Sequence, residues 1–206
     1  MKIALDAMGG DHAPERPVAA AIEALEMYPH VKKIFLVGDE VLIRKELAKF
    51  PNAPKDKLDV RHCTQVISMD EHAVEGIRRK KDSSINRSIQ LVKEDEANAV
   101  VSAGHTGAMV AGSSIFLRTL PGVHRPGIAT TMPTETNVFV LIDAGANVDA
   151  RAEHLAQYGI MGNIYSEKVL KYEKPRVGLL SVGTEDAKGN DLTKEAFKLL
   201  QQAPIN

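Results

Sequence analysis

The strongest constraint on how this chain can fold is the alternation of short, apolar, often β-branched runs with longer helical patterns. The runs are Ile3–Leu5, Ile34–Val37, Leu58–Arg61, Ala99–Ser102, Ile128–Met132, Val138–Ile142 and Val177–Ser181. Between most of them lie helical patterns at Glu15–Tyr28, Glu40–Phe50, Asp70–Arg79, Ser84–Glu94, Thr106–Leu120, Ala152–Tyr172 and Leu192–Gln202. This rhythm predicts an α/β fold of three layers, α/β/α, with a mostly parallel sheet covered by helices on both faces. One connection departs from it. Only Pro133–Asn137 separates Met132 from Val138, and a parallel crossover needs about a dozen residues or more, so these two strands are expected as antiparallel neighbours in a mixed sheet.

At 206 residues the chain is near the upper end for one domain, and a single α/β domain over residues 1–206 is the expectation. No Pro-, Gly- or Ser-rich linker and no repeat divides it. Tryptophan is absent and aromatics make up only 4%, so the core must come from Val, Ile, Leu, Ala and Met. A net charge of −1 does not advertise nucleic-acid or membrane-surface binding. Cys63 is the only cysteine, which excludes an internal disulfide framework and a Cys-rich metal site. Met1-Lys2 leads straight into a strand without the apolar stretch of a signal peptide, and no run is long enough to span a bilayer. A cytoplasmic location is expected.

The pattern Thr106–Leu120 is apolar or small almost all round, which predicts a buried helix lying close to the sheet. Ser84–Glu94 is amphipathic, with Ile85, Ile89 and Val92 on one stripe and Ser83 or Ser84 as N-cap. Both bodies read as core, and the chemistry is sought at strand ends, where open α/β sheets bind ligands.

Four such ends combine glycine with polar residues. In Asp6–Pro14, Gly9-Gly10 permit unusual backbone conformations and hold Asp6, Asp11 and His12 near the strand end. A plain alternative has Asp11 capping the helix and His12 in water. In Ser102–Gly107, glycines bracket the start of a helix whose first amides form an anion seat, with the Ser102 and Thr106 hydroxyls as further donors. Its spacing is not that of a P-loop. His105 reads equally well as a helix-start donor. Asp143–Ala150 offers Asp143, Asn147 and Asp149, too few oxygens from one loop to claim a metal, with turn chemistry as the alternative. Ser181–Asp186 offers Gly183 and Thr184 for an anion or a carbonyl oxygen. Apart from these, Arg78-Arg79-Lys80-Lys81 form a basic run, which is a solvated face or a docking patch for an acidic partner.

Taken in order, Ile3–Pro14, Arg79–Ser84, Val101–Ala108, Ile142–Asp149 and Leu180–Glu185 resemble the phosphate acyltransferase (PlsX) family of bacterial phospholipid synthesis. The resemblance runs over the whole chain, with Ala152 standing where the family pattern has proline. It implies a fold of the isocitrate-dehydrogenase and phosphotransacetylase type, a homodimer, no cofactor, and peripheral contact with the inner face of the membrane. It also implies a reaction: acyl-ACP plus inorganic phosphate gives acyl-phosphate and free acyl carrier protein. Family members continue past the position of Asn206, so the chain is expected to be the N-terminal part of a longer enzyme.

The residues suit that reaction. Cys63 lacks a glycine elbow and reads as core filler, whereas phosphate is itself a nucleophile near neutral pH, its second pKa being about 6 by analogy with phosphate esters. A direct transfer is expected. Ser102, Gly104, Thr106 and Gly107 would hold phosphate, with Asn147 and Thr184 completing the pocket. His12 or His105 would donate to the carbonyl oxygen or to sulfur, oriented by Asp6 and Asp11. Arg78, Arg79, Lys80 and Lys81 would meet the acidic carrier protein. Rival readings are phosphotransacetylase-like transfer to CoA, a dehydrogenase (which lacks its Gly-x-Gly-x-x-Gly turn), and a non-catalytic scaffold.

Overall fold

A computed structural model describes residues 1–147, 149–183 and 188–206. They form two compact units, Met1–Arg118 and Thr119–Asn206.

The first unit is built on a parallel sheet of β1 (Lys2–Asp6), β2 (Lys33–Gly38), β3 (Leu58–His62) and β4 (Ala99–Val101), in the order β3-β2-β1-β4. Ala4 is the centre of the register, opposite Phe35 on one side and Val100 on the other. Successive strand side chains point to opposite faces, and the core divides accordingly. Ile3, Leu5, Ala7, Ile34 and Leu36 pack with Val18, Ala21, Ile22 and Leu25 of α1 (Glu15–Met27) and Ile43 of α2 (Glu40–Leu47). Ala4, Phe35, Val37 and Cys63 pack on the opposite face with Leu91 of α4 (Ser84–Lys93). Helices on both faces therefore make the three layers that the alternation predicts.

Local chemistry sets the helix starts. Asp39 caps α2 by accepting from the amides of Val41 and Leu42 at 2.9 and 3.1 Å. Ser83 caps α4 through the Asn86 amide at 3.4 Å. A short helix, α3 (Ala73–Arg79), precedes α4, and a 3₁₀ turn at Lys55–Lys57, not foreseen from sequence, precedes β3. The helix expected over Thr106–Leu120 is α5 (Thr106–Phe116), and it is not buried all round. Ala108 and Gly112 are its buried residues, and it packs on α3 and α4. Glycine permits that approach: a Cβ on Gly112 would lie 2.6 Å from Ile89 Cδ1 and 3.0 Å from Ile77 Cδ1.

The second unit holds β5 (Ala129–Pro133), β6 (Val138–Ile142), α6 (Ala152–Lys168) and α7 (Asp191–Gln201). β5 and β6 are antiparallel, as the short connection requires, but they form a two-stranded sheet of their own instead of joining the parallel one. α6 packs on β6 and α7. A Cβ on Gly159 would lie 2.6 Å from Leu200 Cδ2, so the two helices meet at a glycine. Asn190 caps α7 by accepting from the Thr193 amide at 2.9 Å. The strand expected at Val177–Ser181 does not form, and the Val177 amide instead donates to the Asn206 carbonyl at 2.7 Å.

Candidate active site

The chain builds β1, β2 and β3 outward in one direction and then returns to place β4 on the other side of β1. This reversal leaves a crevice at the carboxyl ends of β1 and β4, the position at which open α/β sheets take ligands. The loops Asp6–Pro14 and Ser102–Gly107 leave those two strands.

They interlock through Asp6. Its carboxylate is 1% exposed. One oxygen accepts from the Met8 amide at 3.1 Å and the other from Ser102 Oγ at 2.7 Å, while Ser102 Oγ accepts from the Gly104 amide at 3.0 Å. Gly9 makes the contact sterically possible. A Cβ there would lie 2.7 Å from Asp6 Oδ2, 2.8 Å from the Gly104 nitrogen and 2.9 Å from Ser102 Oγ. Gly10 turns the loop with φ +98°, a conformation open to glycine and strained for other residues.

Asp6 is thus a clamp between two loops and makes no hydrogen bond to either histidine. The Ser102 hydroxyl and the Gly104 amide, expected to hold phosphate, are engaged in the clamp. Asp11 and His12 are exposed at the outer turn. Asp11 does not cap α1, whose N-cap is Pro14 with no side-chain acceptor. Among the described residues the His12 ring has no hydrogen-bond partner.

His105 is the N-cap of α5, and as an acceptor, not as the donor read from sequence. Nδ1 accepts from the Ala108 amide at 3.3 Å, and Nε2 lies 2.9 Å from the Glu71 carbonyl. Both ring nitrogens are therefore engaged. The amides of Thr106 and Gly107 and the Thr106 hydroxyl have no partner among the described residues, and both residues are exposed. They present the positive end of α5 to solvent.

The basic run separates into two kinds of residue. Arg79 pairs with Glu75 at 2.7 Å. Lys80 donates to Glu71 at 2.6 Å and to the Val66 carbonyl at 2.7 Å. Arg78 and Lys81 are exposed and make no ion pair among the described residues. Asp82, next in sequence, accepts from the Thr64 hydroxyl at 2.7 Å, the Thr64 amide at 2.9 Å and Arg87 Nε at 2.7 Å. The Thr64 hydroxyl, then Arg87 and the Thr64 amide, hold its carboxyl at about 2. Glu71 is likewise held at about 2, by Lys80 first and then by the Ser68 amide and hydroxyl. Sequence reasoning passed over Glu71, although Ser68-x-x-Glu71 carries the spacing of a capping box just ahead of α3.

Cys63 is 2% exposed. Burial, then the charges of Asp82 and Asp6, push its thiol up to about 11. It is core filler, as its surroundings in sequence indicated.

In the second unit Asp143 organises its own loop. Oδ1 accepts from the amides of Ile128 at 2.8 Å and Ala146 at 3.1 Å, and Oδ2 from the Asn147 amide and side chain at 2.8 and 2.9 Å. Burial alone would raise its pKa, but these donors outweigh it and the carboxyl stays below its ordinary value. The Asn147 side chain also lies 2.9 Å from the Pro126 carbonyl and from Tyr158 Oη. Asn147, expected in the phosphate pocket, is here a turn-locking residue. Thr184, with Val148, Glu185 and Asp186, lies outside the described residues.

Comparison with known proteins first fixes the class. The EutD phosphotransacetylase from Staphylococcus aureus superposes with a TM-score of 0.68 at 21% identity, over 98% of this chain and 64% of that one. The chain therefore has an α/β fold of the phosphotransacetylase type. A family model described as "fatty acid synthesis protein" matches residues 1–206, and the chain belongs to that family, the PlsX family. A phosphate acyltransferase of Halothermothrix orenii is 48% identical over 202 residues, covering 98% of this chain and 60% of the relative. One of Oceanobacillus iheyensis is 47% identical over 207 residues, covering 100% and 60%. The chain spans about 60% of the length of these curated relatives.

Proposed function

We propose that the protein transfers an acyl group from a thioester to inorganic phosphate, with the phosphate held at the start of α5. One observation carries this reading. The crevice at the sheet's reversal is walled by two loops clamped through Asp6, Ser102 and Gly104, and beside it the Thr106 and Gly107 amides are free to receive an anion. The names of the relatives, phosphate acyltransferases, support the same reaction.

In this reading a phosphate oxygen attacks the thioester carbonyl carbon, the C–S bond breaks and the sulfur leaves as thiolate or thiol. A thiol of pKa about 8.5 is an undemanding leaving group, so the protein's task is positioning and charge stabilisation. Those effects supply several kcal/mol of the barrier, and one oxyanion donor about 3 to 4. His12, whose ring is free, donates the proton to sulfur or hydrogen-bonds the carbonyl oxygen. Asp11 stands beside it in sequence. His105 and Asp6 act by holding the loops, and Asn147 by holding its own.

The acyl donor is proposed to be acyl carrier protein, an acidic partner met by Arg78 and Lys81, which make no ion pair among the described residues. A homodimer working in the cytoplasm, in peripheral contact with the membrane, completes the proposal. Its support is family membership, and no helix among the described residues is long and apolar enough to cross a bilayer.

The test is release of free carrier thiol from acyl carrier protein, with and without phosphate, by the full-length protein and by residues 1–206 side by side. Phosphate-dependent release is expected, and it rules out a purely scaffolding role. Release indifferent to phosphate sinks the reading. Turnover with CoA but not with the carrier protein selects the phosphotransacetylase-like alternative that the EutD neighbour represents.

A further inference from the structure

We propose that Glu71 and Lys80 form a positioning latch that selects one tautomer of His105 and so fixes the start of α5. Three donors converge on Glu71 Oε1: Lys80 Nζ at 2.6 Å, the Ser68 amide at 2.7 Å and the Ser68 hydroxyl at 2.8 Å. Lys80 Nζ also donates to the Val66 carbonyl at 2.7 Å. One ammonium thereby ties together both ends of the segment from Val66 to Glu71. The product of that closure is a fixed backbone carbonyl at Glu71, 2.9 Å from His105 Nε2.

The other ring nitrogen settles the proton. Nδ1 faces the Ala108 amide at 3.3 Å, a group that can only donate, so Nδ1 must carry its lone pair. Nε2 faces a carbonyl, a group that can only accept, so Nε2 must carry the hydrogen. The opposite tautomer would set lone pair against lone pair at Glu71 and N–H against N–H at Ala108. The imidazole becomes a strut: one end leans on the latched carbonyl, and the other caps α5. Its cap leaves the Thr106 and Gly107 amides at the helix start unengaged. Lys80, read from sequence as part of a docking patch, thus holds a loop of its own chain.

In its consequence for turnover the inference rests on the phosphate position proposed above, whereas the tautomer does not. The decisive measurement is ¹⁵N NMR of the His105 ring in this chain. In the unmodified protein one pyridine-type signal at Nδ1 and one pyrrole-type signal at Nε2 are expected. In Lys80→Met the two should move toward each other as tautomers exchange, and Lys80→Arg, which keeps an ion pair, should restore the separation. Glu71→Gln, which weakens the hold on Lys80, supplies the same reading if Lys80→Met does not fold. In the full-length enzyme Lys80→Met should raise the phosphate KM about fivefold, the size of one lost cap interaction, with kcat within about twofold. Separated signals in both Lys80→Met and Glu71→Gln overturn the latch, whatever the kinetics. Merged signals with an unchanged phosphate KM uphold the latch and overturn the phosphate position.

Discussion

Gly9 sits where the two loops of the crevice touch, and the atoms that a Cβ would meet cannot retreat. They are the Gly104 backbone nitrogen at 2.8 Å and two atoms of the Asp6–Ser102 hydrogen bond. Gly9→Ala is therefore expected to destabilise the chain by about 1–3 kcal/mol, read as a lower midpoint in urea unfolding. An unchanged midpoint would mean that the loops are not in contact in solution. His12 tests the chemistry at the same scale. If it handles the proton, His12→Ala lowers kcat of the full-length enzyme by about a hundredfold or more while leaving the urea midpoint alone, because the residue is exposed and its ring makes no hydrogen bond among the described residues. Sequence marked both positions, since glycine pairs and acids after a strand are a local signal. It could not assign Asp6 its partner. Asp6 and Ser102 are 96 residues apart, and nothing local says that the carboxylate binds a hydroxyl on the neighbouring strand's loop and not the nearby histidine. The two roles of His105 stayed open for the same reason, because Glu71, which takes its Nε2, belongs to a different loop.

Among the elements, the strands of the parallel sheet were legible almost residue for residue, since each is a compact apolar run bounded by polar or turn residues. Val177–Ser181 carries the same pattern, but a strand is defined by a pairing partner, which propensity cannot supply. Leu180 is 84% exposed, the opposite of a buried strand. α5 shows the complementary error. Small residues all round were read as burial all round, whereas they serve one close contact. Gly112→Ala should accordingly cost about 1–2 kcal/mol, lessened by whatever movement the tips of Ile77 and Ile89 allow, while Ala at exposed Gly107 perturbs stability less. Ser83→Ala removes the cap of α4 and should cost about 1 kcal/mol. Both follow from thermal or chemical unfolding of the 206-residue chain.

Over the whole molecule, the α/β class and the antiparallel pairing of β5 with β6 followed from spacing alone. The separation of that pair into its own sheet, and the reversal that puts β4 beside β1, depend on packing that spacing does not encode. Charge is distributed so that acid acts on both units. Glu71 and Asp82 are held at about 2 in the folded chain, against ordinary values of 4.5 and 3.8, and Asp143 in the second unit is also depressed. A carboxyl depressed by folding contributes stability that is present above its unfolded pKa and lost as pH falls through the folded one. Thermal midpoints should therefore hold between pH 7 and about 5 and fall from about pH 4.5 toward 2, and Asp82→Asn should flatten part of that fall. The clamp between Asp6 and Ser102 has a further consequence, for the order of assembly. β1 is made before the strands it pairs with and lies inside the sheet, yet its second neighbour and the closing hydroxyl arrive 96 residues later. Such a distant closure is entropically slow to form. On a translating ribosome the half of the sheet containing β1, β2 and β3 can pair early, while the crevice stays open until β4 has emerged.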